Sequence, residues 1–231
     1  MLDREKHQNL LTQIFSDIYS RVSLAPLLGF KGGTALYFFH QLSRFSVDLD
    51  FDLLDLDQSE LVIKELGDLL SKYGDIKNLL NKRLSIQGVL SYGAGLQKIK
   101  IDISKRNYCS SYEIKQFNGI SALVMVPEDL FSNKLIATIN RKSLAIRDLY
   151  DLNFMFNKLW SYNPQIIHRV LGLSGAELIT QIIHRIETSS SENILSAIGV
   201  LLNDQDKAYV KDRLKSDLLF SLRAHLSFID V

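Results

Sequence analysis

The stretch "FKGGTALYFFHQLSRFSVDLDF", Phe30 to Phe51, decides how the chain is read. Its second half runs on as "SVDLDFDLL" and alternates strictly, with Val47, Leu49 and Phe51 on one side and Asp48, Asp50 and Asp52 on the other. A period of two is the mark of a strand with one buried face. Ahead of it, "TALYFFHQL" suits a helix opening at or near Thr34. Gly32 and Gly33 permit positive φ and close backbone approach. A helix start offers unpaired N–H groups and the positive end of the dipole, where a phosphate can sit. Thr34 can cap that helix or give its hydroxyl to a phosphate oxygen. Taken alone, the glycine pair fits an ordinary turn equally well. Its position adds meaning: thirteen residues separate Thr34 from Asp48, room for a helix and a return into a strand.

Same-face neighbours on a strand stand about 6–7 Å apart, so Asp48 and Asp50 project together. Two adjacent carboxylates repel unless a counter-charge joins them. Magnesium supplies one, since it takes oxygen ligands from one or two carboxylates plus substrate phosphates. "KIKIDIS", from Lys98 to Ser104, alternates in the same manner, and Asp102 lies on its polar side as a third ligand or a general base. Asp52 looks spare. The alternative is that all these acids line a solvated strand face.

Working outward, apolar residues at Leu10, Ile14, Ile18 and Val22 predict a helix over 5–22, and Ser59 to Tyr73 predicts another. The region 83–106 holds β-rich runs and glycine-marked turns, and "ISALVMVPEDL" adds a short buried strand stopped by Pro127. Beyond Glu128 the pattern is helical, broken near "SYNP", "GLSG", "TSSSEN" and "NDQD". Lys and Arg total 27 against 26 Asp and Glu, so any surface for a polyanion must be a local patch. One cysteine, Cys109, excludes an internal disulfide. No apolar run approaches the roughly 20 residues that cross a bilayer, so no membrane role is expected and the chain reads as cytoplasmic.

These residues carry a resemblance. A glycine pair, a small hydroxyl residue, a spacer and Asp-x-Asp resemble the polymerase-beta-like nucleotidyltransferase superfamily. "KGGTAL…RFSVDLDF" is similar, more narrowly, to the abortive-infection nucleotidyltransferases, the toxins of type IV toxin–antitoxin systems. "KIKIDIS", "NKLIATINR" and "RDLYDL" follow in the family's motif order and supply Asp102, then Lys134 and Arg141, then Arg147, Asp148 and Asp151. The resemblance implies catalytic roles for Asp48, Asp50, Asp102, Lys134 and Asp148, with Asp48, Asp50 and Asp102 as metal ligands. It implies nucleotide contacts from Gly32, Gly33, Thr34, Lys134, Arg141 and Arg147, with Mg²⁺ (or Mn²⁺) as the ion and a nucleoside triphosphate as substrate. The acceptor it suggests is RNA, in particular the 3′ end of a transfer RNA, and the partner it suggests is a cognate antitoxin.

The residues also support these motifs unaided. Lys134, Thr138 and Arg141 share a face of one helix, so two cations could meet one polyphosphate. The alternative is that Arg141 and Arg147 pair with Asp148 and Asp151 to lock two helices together. Lys31 and Arg44 fit the family text and equally well fit surface cations. The five histidines show no metal-ligand spacing, and His40 reads as packing or surface. Ser189, Ser190 and Ser191 read as a helix-cap loop. "SKRNYCSSYEIK" reads as a solvated loop, with cations and tyrosines that could hold single-stranded nucleic acid. Phe154, Phe156 and Trp160 read as core.

The expected fold is therefore α/β (α+β): a mixed sheet with flanking helices over residues 1–155, then a helical bundle over 156–231. The expected function is metal-assisted nucleotidyl transfer. Two other readings share the fold: a small-molecule nucleotidyltransferase of the antibiotic-modifying kind, and a non-catalytic binding module.

Overall fold

In the computed structural model, which describes residues 2–189 and 198–229, the alternating stretch becomes the centre of a seven-stranded mixed sheet. Its strands are β1 (Leu28–Lys31), β2 (Asp48–Leu53), β3 (Asp75–Asn81), β4 (Ser85–Ser91), β5 (Ile99–Ser104), β6 (Tyr112–Phe117) and β7 (Ile120–Met125). Across the sheet they run β3-β4-β5-β2-β1-β7-β6. β2 is parallel to β5 and antiparallel to β1.

Two compact units divide the chain. The first holds residues 1–41, 45–107 and 111–125; the second holds 42–44, 108–110 and 126–231. The division at 125/126 falls ahead of the 155/156 boundary expected from sequence, so the two helices that follow Pro127 belong by packing to the helical unit.

Among the described residues of the first unit, three α-helices accompany the sheet: α1 (Arg4–Ser20), α2 (Gly32–His40) and α3 (Ser59–Leu70). The apolar sides of the central strands bury Phe30, Leu49, Phe51, Ile101, Ile103 and Ile86. Phe15 of α1 joins this layer, its ring centroid 4.8 Å from that of Phe30, and Phe38 of α2 stacks on Phe117 at 4.4 Å. Phe15 and Phe30, each fully buried, are worth about 1.5–3 kcal/mol of transfer free energy apiece. α1 opens on Asp3, whose carboxylate caps Lys6 N–H, and stops at Ser20; Val22 is left 90% exposed, outside the helix that periodicity assigns to it. α2 opens two residues ahead of Thr34, so both glycines lie in its first turn.

The second unit is helical: α4 (Pro127–Asn140), α5 (Ile146–Asn157), α6 (Pro164–Leu171), α7 (Gly175–Thr188), α8 (Asp204–Asp212) and α9 (Leu214–Ile229). The polar breaks read from the sequence supply its punctuation. Asn163 caps α6 ahead of Pro164, Gly172 ends α6 in the left-handed region, and Ser174 with Glu177 forms a capping box on α7. Its core gathers Phe131, Leu135, Leu149, Leu152, Ile167, Leu178, Ile182, Leu218 and Leu222. Ser189 caps the C-terminus of α7; Ser190 and Ser191 lie outside the described residues. Phe154, Phe156 and Trp160 are half-buried rather than fully enclosed. Among the described residues no single helix is long and apolar enough to cross a membrane.

Candidate active site

The register of the sheet sets the acids side by side. Asp50 is the Cα partner of Asp102 across the parallel β2–β5 pair, and of Lys31 across the antiparallel β1–β2 pair. Asp48 faces Lys100. Paired residues share a face, so Asp48, Asp50 and Asp102 stand together opposite the buried Leu49, Phe51 and Ile101, with a lysine on either flank. Adjacent strands lie about 4.8 Å apart, which brings Asp50 and Asp102 nearer in backbone than Asp48 and Asp50.

Gly32 closes this group. Its φ is +80°, and a Cβ placed on it would lie 2.4 Å from Asp50 Oδ2. The Asp50 carboxylate is thus seated directly against the first turn of α2, which only glycine permits. Thr34 performs a different task from the one expected. It is fully buried, and its hydroxyl donates to the Asp48 carbonyl and lies 2.8 Å from the Ser46 hydroxyl. It ties the helix to the first residue of the acid-bearing strand. His7 supports the residue before: buried in α1, it lies 2.9 Å from the Val47 carbonyl through Nε2 and 2.7 Å from the Tyr92 hydroxyl through Nδ1. Burial holds its pKa below the ordinary 6.5, against the smaller upward pulls of the Val47 carbonyl and Asp48.

Asp52 is not spare. It is 8% exposed, and its two oxygens are taken separately, Oδ1 by the Lys31 ammonium at 2.6 Å and Oδ2 by the Tyr112 hydroxyl at 2.6 Å. The Tyr112 ring reaches it by lying over Gly29, where a Cβ would come within 2.2 Å of the ring. Tyr112 therefore opens strand β6 and is no part of a solvated loop, while Cys109 and its neighbours before it remain irregular and Cys109 is exposed beside Arg169. Lys31 is correspondingly a paired, mostly buried cation.

The residues of the later motifs meet within the helical unit. Lys134 of α4 sends its ammonium to Asp148 Oδ1 at 3.1 Å and Asp151 Oδ2 at 2.8 Å, both on α5, and its side chain is 13% exposed. Arg44 forks onto Asp151 with Nε–Oδ1 and Nη2–Oδ2 both 2.6 Å, and is 3% exposed; it is a buried partner rather than a surface cation. Burial alone would lower the pKa of Lys134, but Asp151 and then Asp148 outweigh it and raise the value. Burial would likewise raise Asp151, but Arg44 and then Lys134 outweigh it and hold its carboxyl below the usual range. Arg141 departs from the helical face expected for it. α4 ends at Asn140, Arg141 is extended at ψ 142°, and its Nε lies 2.6 Å from Asp148 Oδ2 as an ion pair. Thr138 is buried and bonds back to the Lys134 carbonyl. Arg147 sits half-buried in the first turn of α5. The helix-locking arrangement thus exists, built by Lys134, Arg44 and Arg141 on Asp148 and Asp151.

The order of these elements, a glycine turn entering a helix, an Asp-x-Asp strand and a third acid on its parallel neighbour, matches a known family. The model of the nucleotidyl transferase AbiEii toxin, of type IV toxin–antitoxin systems, matches residues 13–178. The chain belongs to that family. It is a nucleotidyltransferase, and the AbiEii family gives it a nucleoside triphosphate as substrate and the toxin's place beside a cognate antitoxin. Two Helicobacter pylori crystal structures are similar in fold. JHP933 matches with a TM-score of 0.58 and 19% identity over 100% of this chain and 95% of that one. The second, titled a putative nucleotidyltransferase, matches with a TM-score of 0.58 and 17% identity over 97% and 95%. No curated protein matches the sequence.

An AbiEii-type nucleotidyltransferase implies a divalent ion. Among the described residues, no three His, Cys, Asp or Glu side chains are gathered closely enough to hold a metal as they stand. The donor set nevertheless fits one. Asp48, Asp50 and Asp102 are hard oxygen donors on neighbouring positions of one face, and Gly32 gives the Asp50 carboxylate its seat against the helix start.

Proposed function

We propose that this protein moves a nucleoside monophosphate from a nucleoside triphosphate to RNA, with the 3′ end of a transfer RNA as acceptor, and that it acts in the cytoplasm. The observation that carries the reading is the side-by-side register of Asp50 and Asp102 with Gly32 packed against Asp50. Asp48, Asp50 and Asp102 would hold Mg²⁺, or Mn²⁺ in its place. When bound, such an ion offsets charge on the triphosphate and on the departing pyrophosphate.

The chain's own groups do the rest. The first N–H groups of α2, from Gly32 to Thr34, would seat phosphate oxygens, since the N-cap residue Lys31 places no side-chain cap on that helix start. Thr34 and His7 fix the backbone on which Asp48 is carried. An ammonium has three N–H donors, and Lys134 gives two of them to Asp148 and Asp151. As the family resemblance suggests, Lys134 would also contact a substrate phosphate, with Asp151 and Asp148 keeping the lysine charged. Arg141, with its side chain 41% exposed, and Arg147 supply further positive charge to phosphate.

Incubation with α-labelled nucleoside triphosphates, total RNA and Mg²⁺ tests this reading. Label entering transfer RNA is the expected result. Label on a small molecule alone would establish the antibiotic-modifying type of activity instead, and no labelled RNA would overturn the transfer RNA acceptor.

A further inference from the structure

Asp102 is held from the side facing away from β2. On β4, Gln87 is its Cα partner, and Gln87 Nε2 donates to Asp102 Oδ2 at 2.8 Å. The other end of the same amide accepts from Lys82, whose Nζ lies 2.5 Å from Gln87 Oε1. Lys82 comes from the turn between β3 and β4, where its own N–H bonds the Ser85 carbonyl at 2.8 Å.

The two contacts define each other. An ammonium can only donate, so the amide oxygen must face Lys82 and the amide NH₂ must face Asp102. A carboxylate that receives an N–H on one oxygen is restrained about its terminal torsion, and the second oxygen is then presented in a fixed direction. We infer that Gln87 is a positioning residue for the third carboxylate. It occupies Oδ2, leaves Oδ1 as the oxygen offered to the divalent ion, and is itself oriented by Lys82.

The inference rests on the reading of Asp102 as a metal ligand. Partners that orient a ligand from behind are worth about 10–100-fold in metal affinity. Lys82 acts only through Gln87, so its effect should vanish when Gln87 can no longer donate.

The test is Mn²⁺ binding to the full chain, read by electron paramagnetic resonance with a non-hydrolysable nucleoside triphosphate present. Wild type is compared with Gln87→Met, Lys82→Met, the double variant and Asp50→Asn. Methionine keeps the length and packing of both stems while removing their polar ends. Gln87→Met should bind Mn²⁺ about tenfold more weakly. Lys82→Met, at an exposed site, should bind about twofold to threefold more weakly. The double variant should be no weaker than Gln87→Met. If Gln87→Met fails to fold, Lys82→Met carries the test alone.

Wild-type affinity in both single variants, with binding lost in Asp50→Asn, would overturn the positioning role and leave the metal reading intact. Independent, multiplying losses in the double variant would overturn the relay. No difference between wild type and Asp50→Asn would remove the metal reading, and this inference with it.

Discussion

Asp50 and Asp102 are separated by 52 positions in sequence, yet they are Cα partners in a parallel ladder, and Gly32 leaves the Asp50 carboxylate a seat against the start of α2. The same register sets Lys31 beside Asp50 and Lys100 beside Asp48, and Gln87 donates to Asp102 from behind. A nucleotidyltransferase has to gather oxygen donors for a cation and N–H donors for phosphate in one place, and in the proposed site that register would do the first part.

Replacing Gly32 with alanine tests how closely the helix start and the acid are fitted. A side chain there meets both a positive φ and the Asp50 carboxylate. The left-handed backbone costs a non-glycine residue about 1–2 kcal/mol, and displacing Asp50 adds to that. Urea unfolding should show a loss of this order or more, and transfer activity should fall further than stability does.

The Arg44–Asp151 pair is a buried fork, and removing one arm leaves a carboxylate without its main counter-charge. Arg44→Met should lower stability by roughly 3–5 kcal/mol. The double variant Arg44→Met with Asp151→Leu should recover part of that loss, because no buried charge is then left unpaired. Chemical denaturation of wild type and the two variants measures both outcomes.

The Tyr112 hydroxyl on Asp52 is a bond to a charged acceptor, and its loss in Tyr112→Phe should cost about 1.5–3 kcal/mol. Since Asp52 is taken up by Lys31 and Tyr112 rather than by the proposed metal ligands, the variant should change denaturation midpoint more than transfer rate.

Acid stability should depend on His7. Its folded pKa lies below the unfolded value of 6.5, so the unfolded chain binds the proton first. The stability gained from neutral His7 is present above 6.5 and is lost as pH falls from 6.5 through the lowered folded value. His7→Gln should be less stable than wild type at pH 8 and should show a flatter decline on going from pH 7 to pH 5. The Asp151 carboxyl, depressed below its ordinary 3.8, contributes stability that is present above that value and lost only at more acid pH. The two effects separate along a pH series of thermal melts.

Much of this was legible in the sequence because alternation and spacing are local. "SVDLDFDLL" and "KIKIDIS" declared β2 and β5, the breaks at "SYNP" and "GLSG" declared the helix ends, and the glycine pair announced α2. What escaped depends on contacts between distant segments. β1, β3 and β6 carry too little alternation to stand out, being short, bulged near Ile76 or preceded by an irregular stretch. Without β6 nothing linked Tyr112 to Asp52, so the acid looked spare. Arg44 read as a surface cation because the identity of its partner, 107 residues away, is set by tertiary packing. Gln87 carried no signal at all until register placed it beside Asp102.

The most direct measurement is the single-turnover rate of nucleotidyl transfer at saturating Mg²⁺ for wild type, Asp50→Asn, Asp102→Asn and the double variant. Residues that work as one unit are strongly non-additive, so each single change should slow transfer by about a thousandfold or more, and the double should be little worse. A rate within tenfold of wild type in either single variant would contradict the account, because the paired acids would then not be where the chemistry is held.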